Sequence, residues 1–272
     1  MEYKSFVHWV GGKKLLAPTL EPLFPKDKRV YIEPFVGGGG SLFYVMNNIK
    51  NFEFQRIIVN DKNEELINAY RVVRENVDEL IEDLKFFNDW FNSIEDKEEY
   101  KRQYYILRDR YNAISVEDNP FQKAVFFITL TKRCLNGLYR VNKQGKFNNS
   151  CGSMKKKGLD EKNLRNVSEG LKNVRIYNKD FTEILKYCNK DTFVYIDPPY
   201  YKSEMSYIKK ENGFTDRLLE FLEELNNKGT QFLMSNSYEF KDKVADKYRV
   251  KEVEALHSFE RKTVTEILVM NY

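Results

Sequence analysis

The stretch FVYIDPPYY at positions 193–201 ends an apolar run in an acid, two prolines and two tyrosines. Asp197, Pro198, Pro199 and Tyr200 together suit one kind of chemistry. An aromatic amine such as adenine N6 is a poor nucleophile, because its lone pair is delocalised into the ring. Two acceptors set in the geometry of a tetrahedral nitrogen counter this, with the Asp197 carboxylate taking one N–H and the Pro198 carbonyl the other. Proline has no N–H, and its fixed φ keeps those acceptors in place. Tyr200 offers a flat ring on which a base turned out of a duplex can stack. Catalysis would come from placement and electrostatics, with no metal. In isolation the same four letters could be a proline turn with a surface aspartate; the apolar strand before them and their companions argue for a site.

Those companions lie upstream. EPFVGGGGSL places Gly37, Gly38 and Gly39 after a first apolar run, where glycine lets the backbone approach a ligand. The run matches neither GxGxxG nor a P-loop, so a phosphate cradle is not the preferred reading, and a plain strand-to-helix turn stays open. Asp61 ends the second run, RIIVND; an acid there can take both hydroxyls of a ribose, or cap the helix that follows. Glycines and acid together suggest an adenosyl-bearing cofactor at the carboxyl edge of a parallel sheet.

The elements that must position these residues are legible as alternation. Apolar runs at 29–35, 56–61, 174–181, 193–201, 230–237, 248–256 and 265–272 read as seven strands, the last two as an edge hairpin. Helical periodicity follows the first two and precedes the fifth, which predicts an α/β fold with a seven-stranded, mostly parallel, Rossmann-like sheet. After the second strand the pattern turns helical, which predicts an insertion over 67–166 within a catalytic domain formed by 1–66 and 167–272.

Charge is unevenly placed. Between Lys132 and Arg175 there are 12 Lys and Arg against 3 Asp and Glu, a balance of +9, so the rest of this +4 chain carries −5. A solvated lysine face would account for that alone; the interleaved CLNGLYRVNKQGKFNN favours a nucleic-acid partner. The 20 Phe and 18 Tyr serve either a Phe-rich core or base-stacking platforms. No apolar run reaches membrane-spanning length and no secretory signal is visible. Cys134, Cys151 and Cys188 form neither a disulfide framework nor a CxxC pair, so a reducing cytoplasm and no metal are expected.

In order along the chain, FVHWVGGKK (6–14), YIEPFVGGGGSLF (31–43), VNDKNEELINAY (59–70), NGLYRVNKQGKFN (136–148), NKDF (178–181), FVYIDPPYY (193–201) and LMSNS (233–237) resemble the Dam-like DNA adenine-N6 methyltransferases of the alpha arrangement. The resemblance implies an S-adenosylmethionine-dependent methyltransferase sheet. It implies methyl transfer to N6 of a flipped-out adenine in double-stranded DNA, with GATC as the target. It assigns Trp9, Gly11, Gly12, Lys13, Phe35, Gly37, Gly38, Gly39, Asp61, Asp180, Phe181 and Asp197 to the cofactor, and Asp197, Pro198, Pro199 and Tyr200 to catalysis. From the residues alone, Trp9 could equally be core, Lys13 a surface charge, and NKDF a strand end.

The insertion would be the target-recognition domain. Arg140 matches an arginine that in GATC-specific members reads a guanine, and its planar fork suits the guanine O6 and N7 acceptors. Lys132, Arg133, Lys143 and Lys146 are expected on phosphates. Asn136, Leu138 and Asn142 are assigned to the DNA surface, with turn roles competing for the two asparagines. His8, Leu135 and NNSCGS (148–153) depart from the family pattern, mostly in the recognition region. Cytosine-N4 methylation and a DNA-binding regulator without turnover are the alternatives. A monomer and a cognate restriction endonuclease are the expected assembly and partner.

Overall fold

The short apolar runs form seven strands in a computed structural model that describes residues 1–9, 17–200, 213–257 and 262–272. They are β1 (Val30–Glu33), β2 (Arg56–Asn60), β3 (Val174–Tyr177), β4 (Thr192–Ile196), β5 (Gln231–Ser237), β6 (Arg249–His257) and β7 (Lys262–Met270), in the order β3-β2-β1-β4-β5-β7-β6. The first five are mutually parallel; β7 runs antiparallel to both β5 and β6, the latter an edge strand as the sequence predicts. The chain steps outward from β1 to β3 and returns to β4 on the other side of β1. The switch point between β1 and β4 opens the crevice in which such sheets hold ligands.

The strands belong to one of two compact units, formed by Gly11–Val36, Gly40–Lys62 and Asn173–Tyr272. Both faces of its sheet are covered, which is why β4 is apolar throughout. Ile32, Val194, Ile196, Phe232 and Met234 pack with Leu218, Phe221, Leu222 and Leu225 of α8 (Phe214–Asn227). Their neighbours Tyr31, Phe193, Tyr195 and Leu233 point the other way, against Val45 of α2 (Gly40–Asn47) and Phe24, Phe52 and Phe54. This strict alternation fixes register, since a slip of one residue would exchange the two cores. Short helices α1 (Ala17–Leu20) and α9 (Lys241–Val244) complete the unit.

The other unit comprises Met1–Val10, Gly37–Gly39 and Asn63–Lys172. It contains α3 (Glu64–Glu75), α4 (Val77–Ser93), α5 (Lys97–Ala113), α6 (Pro120–Arg133) and α7 (Glu161–Leu171). Asn63, Asp96, Asn119 and Asp160 cap four of these helices through their side-chain oxygens. Every residue of α6 from Lys123 to Thr131 is buried, so this helix is the centre about which α3, α4 and α5 pack. Among the described residues no helix is long and apolar enough to cross a membrane.

Candidate active site and DNA-reading surface

In the sheet unit, acids stand where parallel strands end. Asn60, the last residue of β2 and wholly buried, ties those ends together. Its amide donates to the carbonyls of Pro34 and Lys179, both at 3.0 Å, and its oxygen accepts from the Lys179 N–H at 3.0 Å. Asp61 follows, its backbone N–H directed at the Tyr177 carbonyl (3.3 Å) and its own carbonyl accepting from Asn178 (2.9 Å). The N-cap of α3 is Asn63, so the capping role open to Asp61 in the sequence belongs to another residue.

At the switch point, Glu33 ends β1 and Asp197 follows β4. Glu33 is 2% exposed and accepts from the Tyr31 hydroxyl, which lies 3.0 Å from Ser41 Oγ. Burial, with the neighbouring Asp197 charge adding to it, pushes the Glu33 carboxyl up to about 8, so it holds its proton at neutral pH. Asp197 Oδ1 accepts from Ser235 Oγ at 2.9 Å, and that hydroxyl lies 3.3 Å from Tyr195 Oη. Pro198 is buried, and the half-buried Tyr200 donates its hydroxyl to Glu266 Oε2 at 2.7 Å. Burial first, then the Asp197 and Glu266 charges, raise the Tyr200 phenol well above its ordinary range, so it stays a neutral donor. Sequence reasoning assigned no role to Ser235, Glu33 or Glu266. A usable signal was present: a polar side chain in the middle of a fully buried strand must have a partner.

Asp180 and Phe181 divide their duties. The Asp180 carboxylate caps the turn that begins at Phe181, accepting from Thr182 N–H (3.1 Å) and Thr182 Oγ1 (2.8 Å), and it pairs with Arg217. Burial alone would raise this carboxyl, but the bonds from Arg217 and Thr182 outweigh it and hold it below the usual range. Phe181 is 4% exposed and packs against the half-buried Phe35, ring centroids 5.2 Å apart. Its ring is therefore core, with Phe35 the more accessible of the two.

In the helical unit, Trp9 stacks on Tyr139 with centroids 5.6 Å apart and planes 19° from parallel. A Cβ on Gly38 would lie 2.7 Å from Trp9 Cβ, and one on Gly37 only 3.1 Å from the indole nitrogen. Gly37 (φ +49) and Gly39 (φ +75) are also left-handed, and the Gly37 carbonyl accepts from Tyr70 Oη at 3.0 Å. The glycine cluster is thus dictated by a close indole as well as by the turn. Gly11, Gly12 and Lys13 lie outside the described residues.

The basic segment begins where α6 ends. Leu135 N–H to Ser150 O (2.8 Å) and Gly152 N–H to Arg133 O (2.9 Å) close its base. Asn136 (φ 59) and Gly137 (φ +66) make consecutive left-handed residues, and a Cβ on Gly137 would meet His8 at 2.9 Å. Val141 and Phe147 then bridge antiparallel, and a turn through Gly145 (φ +76) exposes Lys143 and Lys146. Arg140 is exposed, its Nε donating to Asn148 Oδ1 at 2.9 Å and its Nη2 to the Asn148 carbonyl at 3.3 Å, across the hairpin.

Four residues expected on this surface have partners within the fold. Arg133 is 2% exposed, donates to Tyr100 Oη and to Asn88, and lies over the Phe91 ring. It braces the helices and is not available to a phosphate. Lys132 is half-buried and donates to the Gly158 carbonyl. Asn142 spends its oxygen on the Gln144 and Lys146 N–H groups, both at 3.0 Å, so it shapes the turn. Leu138 is half-buried, and its carbonyl accepts from Asn149 at 2.7 Å. Among the described residues no cluster of His, Cys, Asp or Glu could hold a metal ion.

Residues 9–265 match the family described as D12 class N6 adenine-specific DNA methyltransferase. The chain is 40% identical to the type II methyltransferase M.MjaIII of Methanocaldococcus jannaschii, over the whole of both chains. It is 31% identical to the type II methyltransferase M1.LlaDCHI of Lactococcus lactis subsp. cremoris, across 99% of this chain and 95% of that one. With the DNA adenine methylase of Haemophilus influenzae it shares 32% identity, covering 79% of this chain and 68% of the other.

Proposed function

Because this chain belongs to the D12 class of N6 adenine-specific DNA methyltransferases, we propose that Asp197, Pro198, Pro199 and Tyr200 perform its methyl transfer on an adenine flipped out of duplex DNA, with S-adenosylmethionine as donor. The family makes the protein an adenine-specific DNA methyltransferase and answers the choice between adenine N6 and cytosine N4. One observation carries the assignment of residues. The acid sits at the end of β4, at the switch point, with one oxygen fixed by Ser235 and a tyrosine three positions on.

The cofactor reading fits the residues present. Asp61 ends β2 and can accept from two ribose hydroxyls. Phe35, backed by Phe181, offers an apolar wall for a purine. Gly37–Gly39, with Trp9, Gly11, Gly12 and Lys13, complete the proposed set. The bound cofactor supplies an electrophilic methyl on a sulfonium. Asp197 accepts one N–H of the adenine amine while the Pro198 carbonyl accepts the second, which draws the nitrogen lone pair out of conjugation. The Tyr200 ring stacks on the base and holds the amine in line. Deprotonated Asp197 is required, and the protonated Glu33 beside it lowers the repulsion it would otherwise feel.

Recognition rests on Arg140, Lys143 and Lys146 in a target-recognition domain over 67–166, with GATC as the target. Arg140 reads a guanine and the lysines hold phosphates. A restriction endonuclease of the same specificity is the expected partner, a monomer the expected assembly and the cytoplasm the expected location. Expressing the chain in a methylation-free host and sequencing its DNA for modified adenines tests the reading. N6-methyladenine confined to GATC supports it in full. Modified adenines in another context would overturn the target alone, and unmodified DNA would overturn the assignment of the residues.

A further inference from the structure

The proposed stacking tyrosine, just past β4, has a partner on β7, two places along the sheet. Glu266 lies on β7, opposite Ser237 of β5 and Val253 of β6, so strands flank it on both sides. It is 4% exposed, and the four residues after it are buried apolar side chains. A carboxylate in such a place is costly to desolvate and is retained only where its oxygens are satisfied. Oxygen Oε2 is satisfied by the Tyr200 hydroxyl at 2.7 Å, a hydrogen bond to a charged acceptor and therefore among the stronger kinds.

We propose that Glu266 is a positioning residue for the stacking tyrosine: it anchors the phenol oxygen so that the ring face meets the target base at a fixed angle. This rests on the reading of Tyr200 given above. A tyrosine side chain turns about two torsions. Pro198 and Pro199 restrain the backbone that carries the ring, but they leave its tilt open. A hydrogen bond at the para position removes that freedom, since the oxygen is the atom that swings furthest when the ring tilts. Catalysis by placement is sensitive to such tilt, because a base displaced by about 1 Å can cost a hundredfold in rate.

The test uses the full chain and two duplexes: one with adenine at the position that sequencing identifies, on which kcat and KM are measured, and one with 2-aminopurine there, which cannot be methylated and reports stacking alone. Four variants are compared with wild type: Glu266→Ala, Glu266→Gln, which keeps a neutral acceptor, Tyr200→Phe, which removes the hydroxyl, and the double variant Glu266→Ala/Tyr200→Phe. Glu266→Ala and Tyr200→Phe should each lower kcat about tenfold, the scale of one lost charge-assisted bond. KM for the methyl donor should not change, and the bound probe should become brighter as its stack loosens. Glu266→Gln should recover much of the loss. The double variant should be no slower than either single one, because both remove the same contact. Should Glu266→Ala fail to fold, Glu266→Gln and Tyr200→Phe still report the bond from its two ends. Wild-type kcat and probe brightness in Tyr200→Phe, or losses that multiply in the double variant, would overturn the proposal while leaving adenine methylation intact. A wild-type chain that leaves adenine unmodified would overturn the underlying reading, and the proposal with it.

Discussion

At the carboxyl edge of the sheet, Asp197 and Tyr200 are each held by a buried partner contributed by a different strand, and buried Glu33 is held by Tyr31 of its own strand, whose hydroxyl also meets Ser41 of α2. On the hairpin that begins at Arg140, the exposed side chains are shaped by their own neighbours in sequence, such as Asn142 and Asn148. The first arrangement spends desolvation energy to fix atoms in advance, as the proposed placement-driven chemistry requires. The second keeps its charges in water, where they cost little and where counterions can be exchanged for phosphates. Arg133 shows how sharp the border is. It lies seven residues before Arg140 in the chain yet belongs to the buried kind.

That contrast can be broken or sharpened by substitution. The largest effect is expected from Asp197→Ala, which should lower kcat by about a hundredfold to a thousandfold, the usual loss for one preorganised polar group. Thermal unfolding should hardly move, and turnover equal to wild type would put the chemistry elsewhere. Next comes Arg133→Ala. Removing a buried guanidinium leaves Tyr100 Oη and Asn88 short of a donor and opens a cavity, so urea unfolding should show a loss of about 2–4 kcal/mol. The salt dependence of DNA binding should remain that of wild type; a shallower slope would return Arg133 to the phosphate surface.

Glu33 gives a pH test of the buried edge. In the fold its carboxyl keeps a proton up to about 8, whereas in the unfolded chain it loses it near 4.5. The folded state therefore binds more protons between those values. Its contribution to stability is fully present below 4.5 and is lost as pH rises through 8. Glu33→Gln should match wild type in melting temperature at pH 4 and exceed it at pH 9; equal melting temperatures at both would show that Glu33 ionises without penalty. The smallest effects belong to the hairpin. Lys146→Ala should leave stability unchanged and reduce the slope of log affinity against log salt by about 0.9, one phosphate's worth. Arg140→Ala should instead relax discrimination at one base pair, by about 1–3 kcal/mol across a panel of single-mismatch duplexes. Uniform weakening over that panel would reduce Arg140 to a phosphate contact.

How far the sequence carried the argument depended on whether a residue's task is local. Strand runs, the helical change after β2 and the Asp-Pro-Pro-Tyr end of β4 could be read directly, since alternation and proline geometry act over a few residues. Asn136 and Asn142 could be read only as a choice, because the same amide serves a turn or a base; turn hydrogen bonds claim the Asn142 side-chain oxygen, whereas Asn136 bends the backbone and leaves its side chain exposed. Arg133 could not be read at all. Its neighbours Lys132 and Arg140 are equally basic in the sequence, and burial is a property of what packs around α6.

By itself, then, the sequence determined the seven strands, the helical segment between β2 and β3, and the acid and rings that could act on an aromatic amine. Tertiary structure alone decided which polar side chains stand behind them: Ser235 on Asp197, Glu266 on Tyr200, Asn60 across three strand ends. The reason is distance along the chain. Each of these bonds joins residues at least 26 positions apart, where no periodicity or short motif reaches. Only the order of the strands in the folded sheet brings them within hydrogen-bond range.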